Sequence, residues 1–165
     1  PFIWSWIWRR AGTPHRIPPE EWTEESRGAL LQGVCGILEY LEGREPPLVH
    51  GDLKPENLFL DWRGQVTLVD FGNAFPLDQP RKGQGTPGFA APEQYTEEPG
   101  ELGTAADIYG LGATLRSLWD KQKISLFWTY IIWKCMRRNP AKRWKSAVSL
   151  QNFFRRIRAF HRKKL

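Results

Sequence analysis

The chain has 165 residues, of which 41% are hydrophobic, 13% aromatic and 25% charged, proportions that exclude a low-complexity or disordered polymer and suit one folded domain. A net charge of +6 and a pI near 9.6 favour phosphate-bearing partners, although much of the excess lies in the C-terminal FFRRIRAFHRKKL, where Arg and Lys also suit the negative end of a helix. No zinc-finger spacing or aromatic-basic signature points to nucleic acid, and the two cysteines, Cys35 and Cys135, sit far apart in apolar stretches that suggest a reducing compartment rather than a disulfide scaffold.

The opening PFIWSWIW is apolar but much shorter than the ~20 residues a membrane-spanning helix requires, and it lacks the layout of a signal peptide. No membrane span is expected, and residues 1–22 read as a hinge or linker-like segment whose tryptophans and isoleucines pack on the domain or meet a partner. After TPHRIPPEEW, Thr23 is placed to cap a helix with Glu24 and Glu25 in its first turn. Leu30, Leu31, Val34, Ile37, Leu38 and Leu41 recur at helical spacing up to an end near Gly43. NLFL and QVTLV, joined by DWRG, read as a hairpin directly behind a polar stretch. From Gly72 to Gly100 the chain is rich in Pro, Gly and Gln with little periodicity, a long irregular segment of the kind that is functional inside a domain.

Helical periodicity returns in TAADIYGLGATLRSLWD, with Ile108, Leu111, Leu115 and Leu118 on one face, and in the strongly apolar SLFWTYIIWKCMRR. A last helix gathers Ala147, Leu150, Phe153, Phe154 and Ile157 and runs into the basic tail, residues 155–165. The expected fold is mainly α with a small β-hairpin, as one domain over residues 1–165.

The polar stretch LVHGDLKPENLFLD carries His50, Asp52, Lys54 and Asn57 as H-x-D-x-K-x-x-N, and Asp70-Phe71-Gly72 follows the hairpin. An acid, a cation and an amide on one loop, with a second acid at the end of the adjoining strand, are what phosphoryl transfer from a nucleotide needs. Oxygens must hold Mg²⁺, a cation must offset charge on the migrating group, and a carboxylate must orient the attacking hydroxyl.

Here the sequence resembles the eukaryotic-type (Hanks-type) serine/threonine protein kinases. HGDLKPEN is similar to their catalytic loop, DFG is intact, and Ala91-Pro92-Glu93 gives APE at the end of the irregular segment. DIYGLG from Asp107 resembles the start of their central buried helix, and Arg143 stands where their arginine pairs with the APE glutamate. The resemblance implies that Asp52 orients the substrate hydroxyl, Lys54 steadies the transferring phosphoryl, Asn57 and Asp70 ligate Mg²⁺ (or Mn²⁺), and Phe59 forms the floor under the adenine of ATP. Thr86, in GTPGFAAPE, is similar to the substrate-facing threonine of serine/threonine-directed members. His50, Phe71, Gly72, Glu93, Asp107 and Arg143 would be structural: His50 braces the loop, Asp107 holds loop backbone groups, and Glu93 and Arg143 form a buried ion pair; by itself, Asp107 would read as a helix N-cap.

Two departures bear on these expectations. Gly51 stands where many members carry an arginine that receives an activating phosphate, and the stretch from Asn73 to Gly85 contains no Ser, Thr or Tyr. The resemblance covers roughly Arg10 to Ala159 and only the C-terminal lobe of the family fold: no Gly-rich loop, strand lysine or helix glutamate is found, so a missing N-lobe or a partner kinase would complete the nucleotide cleft. The expected activity of the complete enzyme is transfer of the ATP γ-phosphate to Ser or Thr of a protein substrate. Two alternatives stand beside it: a catalytically inactive, lobe-only interaction module, and a small-molecule kinase of the aminoglycoside or choline type, which also uses His-Gly-Asp. GTPGFAAPEQY is similar to bacterial members. The expected location is cytoplasmic, with a juxtamembrane continuation beyond Leu165 as a setting the basic tail would also suit.

Overall fold

In the computed structural model, which describes residues 12–61, 64–79, 85–95, 102–119 and 124–162 (backbone only for the last two), the first helix begins at the expected cap. Helix α1 (Glu24–Glu42) opens on Thr23, whose Oγ1 accepts from the Ser26 amide while its own amide donates to Ser26 Oγ. Serine thus fills the place that Glu or Gln takes in most capping boxes. Leu30, Leu31, Val34, Leu38 and Leu41 are buried, and the Gly43 amide closes the helix on the Glu39 carbonyl.

The polar loop is framed by two small antiparallel sheets rather than one hairpin. Strands β2 (Leu58–Leu60) and β3 (Val66–Leu68) pair as expected, with Phe59 opposite Thr67. Alternation buries Leu58 and Leu60 and turns Phe59 outward. Strands β1 (Leu48–Val49) and β4 (Phe75–Pro76) form a second pair inside what the sequence presents as irregular chain. Two-residue strands are too short to show alternation, which is why the sequence does not reveal them. Their pairing returns the segment after Asp70 to the strand that leads into His50. On the other edge, Gly12 exchanges backbone hydrogen bonds with Leu60, which ties the start of the described segment to the hairpin. The rest of the linker-like segment, residues 1–11, the turn residues Trp62 and Arg63, and residues 163–165 of the basic tail lie outside the described residues.

Helix α2 (Ala105–Trp119) is buried on nearly every side. At Gly110 a Cβ would stand 3.0 Å from Leu53 Cβ, so glycine lets the helix press directly against the polar loop, where Thr114 Oγ1 also donates to the Leu53 carbonyl. Helix α3 (Leu126–Cys135) packs on α2, and α4 (Ala147–Arg162) packs on α1. Glu42 closes the N-terminus of α4, both its oxygens accepting from the Ala147 amide at 3.1 and 3.2 Å. Between the helices, Trp119 meets Trp22 and Trp128 edge-on at 6.0 and 5.0 Å, and Trp128 Nε1 donates to Glu24. Cys35 and Cys135 are free and fully buried in this core. Burial pushes both thiols up, Cys135 to about 12, which leaves neither as a thiolate nucleophile at neutral pH.

Helix α3 is strongly apolar, yet Leu126, Tyr130 and Trp133 are exposed on its outer face. Among the described residues no helix is long and apolar enough to cross a membrane.

Candidate active site

The loop between β1 and β2 is held by groups far away in sequence. Asp107 lies within α2 and does not cap it. Its carboxylate turns to the loop, where Oδ2 accepts from the His50 amide at 2.7 Å and Oδ1 from the Gly51 amide at 2.9 Å. Burial pushes this carboxyl up and the two amides oppose that shift. Gly51 has φ of +76°, and a Cβ there would lie 3.0 Å from the Asn73 carbonyl oxygen. Glycine is therefore favoured at this position by backbone conformation as well as by contact. His50 is fully buried. Its Nδ1 accepts from the Asp52 amide at 3.3 Å, which assigns the proton to Nε2, 3.1 Å from the Val69 carbonyl oxygen. The Phe71 ring meets the imidazole edge-on at 4.9 Å.

These anchors leave Asp52 with its carboxylate turned toward Lys54 and Thr86. Oδ1 accepts from the Thr86 amide at 3.0 Å and from Thr86 Oγ1 at 2.7 Å, and Oδ2 accepts from Lys54 Nζ at 2.8 Å. Lys54 Nζ also donates to Thr86 Oγ1 at 2.8 Å. A carboxylate offers about four acceptor positions. Three are filled, and the open one is on Oδ2, beside the ammonium group. Burial alone would raise the Asp52 carboxyl, but the hydrogen bonds from Lys54 and Thr86 outweigh it and hold the group below the usual carboxylate range.

Asn57, in the short 3₁₀ turn Pro55–Asn57, commits its Nδ2 to the Asp52 carbonyl at 2.9 Å. Among the described residues its Oδ1 accepts no hydrogen bond. Asp70 is exposed and left-handed, with φ of 61°, and accepts from the Gly72 amide at 3.3 Å. A positive φ is uncommon outside glycine but tolerated by aspartate, and it marks a backbone held by its surroundings rather than by its own preference. Phe59 is 45% exposed and Phe71 44% exposed; both are set on the loop and hairpin that also present Asp70.

Glu93 and Arg143 meet in the interior. The two nitrogens of the guanidinium end bind both carboxylate oxygens, Nη2 to Oε2 at 2.7 Å. The remaining donors reach the carbonyl oxygens of Ala105, Arg137 and Arg138 at 2.9, 2.7 and 3.1 Å. All five N–H groups of the arginine are thereby used.

One residue that the sequence reading passed over belongs to this framework. Gln94 is 3% exposed; its Nε2 donates to the Gly51 carbonyl at 2.7 Å and its Oε1 accepts from the Ala91 amide at 2.8 Å. It ties the APE segment to the loop just before Asp52. A polar amide following Ala-Ala-Pro-Glu in an apolar setting is the signal that could have found it. Gln94→Ala strands a buried carbonyl and a buried amide, so a loss of about 1–3 kcal/mol is expected in urea unfolding; a loss below about 0.5 kcal/mol would show that neither bond matters for stability.

A sequence profile described as "Protein kinase domain" matches residues 16–129. Among curated proteins, the chain is 46% identical over 78 residues to serine/threonine-protein kinase WNK8 of Arabidopsis thaliana, a match covering 46% of this chain and 13% of that protein. It is 38% identical over 117 residues to a probable LRR receptor-like protein kinase of the same plant, covering 67% of this chain and 13% of the relative. With the A. thaliana serine/threonine-protein kinase CTR1 it shares 31% identity over 128 residues, 72% of this chain and 15% of the relative. The chain thus spans only a small part of the length of these relatives. Since the profile runs through the whole constellation from His50 to Asp107, the chain belongs to the protein kinase family.

Proposed function

We propose that this site, once the rest of the nucleotide cleft is in place, transfers the γ-phosphate of ATP to a serine or threonine hydroxyl of a protein. The observation that carries the reading is Asp52: ionised, fixed on one side by Thr86, and left with one acceptor position on Oδ2 next to Lys54. A hydroxyl placed there donates its hydrogen bond to Oδ2 and turns its oxygen lone pair toward the phosphoryl group. Lys54 lies at the same oxygen, where its charge offsets negative charge building on that group.

Asn57 and Asp70 would hold magnesium. Both offer hard oxygen donors, and the anchoring of Nδ2 leaves Oδ1 of Asn57 for a ligand. Two protein oxygens suit an ion that keeps several waters and phosphate oxygens. When bound, the metal supplies charge neutralisation on the phosphates. Phe59 offers an apolar surface for the adenine. The exposed rings of Phe59 and Phe71 are surface that a second lobe, of the same protein or of a partner kinase, would cover.

The test is transfer of labelled phosphate from Mg·ATP in the complete protein, offered a protein mixture and an aminoglycoside in parallel. Label on serine and threonine is the expected result. Label on the aminoglycoside and none on protein would replace this reading with that of a small-molecule kinase.

Competence should not require phosphorylation between Asn73 and Gly85, a stretch with no hydroxyl side chain. The chain's own bonds hold both sides of it, β4 to β1 and Thr86 to Asp52. Phosphatase treatment followed by an activity assay should leave the rate unchanged. A loss restored by phosphate located between Asn73 and Gly85 by mass spectrometry would overturn the claim, and a requirement at Thr86 would weaken its extension to the whole segment.

A further inference from the structure

Away from the catalytic loop, a cavity of about 750 Å³ opens between α2, α3 and the loop that follows α3. Its apolar wall includes Trp119, Ile124, Ile132 and Met136, of which Trp119 and Ile132 belong to the buried core. Among the described residues, the charged groups lining it are Arg116, Arg137, Arg138 and Lys142, with no aspartate or glutamate. Among the described residues none of these four cations is paired with an acid.

The cavity is also pre-formed. Arg143 grips Arg137 and Arg138 through their carbonyl oxygens, which fixes their backbone and leaves their side chains for other work. Arg137 lies over the ring of Trp133 at 4.6 Å, and Trp133 is 53% exposed. An exposed indole beside clustered cations is a frequent anchor composition at protein interfaces, and a rigid frame lowers the ordering cost of binding.

We propose that this cavity docks an acidic peptide segment of a partner protein, with one bulky apolar side chain in the pocket and flanking carboxylates against Arg116, Arg137, Arg138 and Lys142. Charge complementarity selects the flanks. The pocket's concave apolar wall selects the anchor, and it separates this surface from a single-stranded nucleic-acid track, which needs successive open aromatic faces; the aromatic rings of the lining already carry cations, Arg137 over Trp133, Arg143 over Tyr109 and Arg27 over Trp119. The inference is independent of the phosphoryl-transfer reading.

The test is fluorescence anisotropy of the intact protein with a short fluorescein-labelled peptide of glutamates around a central Leu-Phe pair. Saturable binding that weakens with added salt is expected. Arg138→Glu with Lys142→Glu should lower the affinity at least about tenfold, as should serines in place of the Leu-Phe pair. Arg138 and Lys142 have exposed side chains, so these variants should fold, which circular dichroism checks; Trp133→Ser tests the anchor separately and should also weaken binding. Equal affinity for the serine peptide, or no effect of the charge reversals, would overturn the proposal. Tighter binding of an oligothymidylate that displaces the peptide would assign the surface to nucleic acid instead. Binding that emerges only after Glu97, Glu98 and Glu101 are changed to Gln would make the chain's own acidic segment the occupant and overturn it equally.

Discussion

Asp52→Asn is expected to lower phosphoryl transfer in the complete kinase by roughly 10²–10⁴-fold, the usual contribution of a positioned general base, while the fold persists. The substitution exchanges one carboxylate oxygen for an NH₂ group. Facing Lys54, that group opposes an ammonium; facing Thr86, it opposes a backbone amide. In either orientation a donor meets a donor, and the acceptor position for the substrate hydroxyl is lost or displaced. The loop itself is anchored elsewhere, by Asp107 on His50 and Gly51 and by Asn57 on the Asp52 backbone carbonyl, so the fold should persist with a loss of about 1–3 kcal/mol from the weakened bonds to Lys54 and Thr86. The pH dependence has a definite sign. Hydrogen bonds from Lys54 and Thr86 hold the Asp52 carboxyl below its usual value despite burial, so the stability they contribute is complete above the unfolded value near ~3.9 and is lost as pH falls through the lower folded value. No acid limb from Asp52 should therefore interrupt transfer in the neutral range. Single-turnover rates and urea unfolding of the same preparation measure both parts. Turnover within about tenfold of the parent, for a protein shown to be folded, would remove Asp52 from the role of base.

The parts of this fold that could be read from sequence are those with strong period or chemistry. Helix α1 was legible because Thr23, the early glutamates and Gly43 mark its ends while the leucines mark its buried face. The β2–β3 hairpin was legible from its short apolar runs and turn residues. By contrast, the pairing of β1 with β4 is non-local and too short to leave a pattern. The exposed face of α3 escaped because apolar content alone does not say how many sides a helix buries. At the site, residue types at fixed spacing name the candidates, but not which of them touch. That Thr86 bonds both Asp52 and Lys54 follows from tertiary packing between segments more than 30 residues apart, whereas the hold of Asp107 on the loop backbone was legible through the family resemblance and only the identity of its two amides was not. Gln94 illustrates the same limit, for its partners lie on the segment beside it and on the distant loop.

The largest stability effects should come from the Glu93–Arg143 pair, and the two truncations should differ. Glu93→Ala removes two hydrogen bonds to the guanidinium but leaves three carbonyl partners, Ala105, Arg137 and Arg138. Breaking a buried pair from one side costs about 3–5 kcal/mol, which for a domain of this size lowers the melting temperature by roughly 6–20 °C. Arg143→Ala should cost more, because it takes the guanidinium from the Glu93 carboxylate and leaves all three carbonyls without their donors. It also frees the start of α2 at Ala105, two residues before Asp107, so loosening should spread toward His50 and Gly51. A double variant, Glu93→Leu with Arg143→Met, strands no charge and should recover part of the loss but not all of it, since the carbonyls still lack donors. Urea unfolding of the four proteins gives the order: parent most stable, Arg143→Ala least. Equal costs for the two single truncations would mean that the pair's charges, rather than the carbonyls gathered by Arg143, set the stability of this junction.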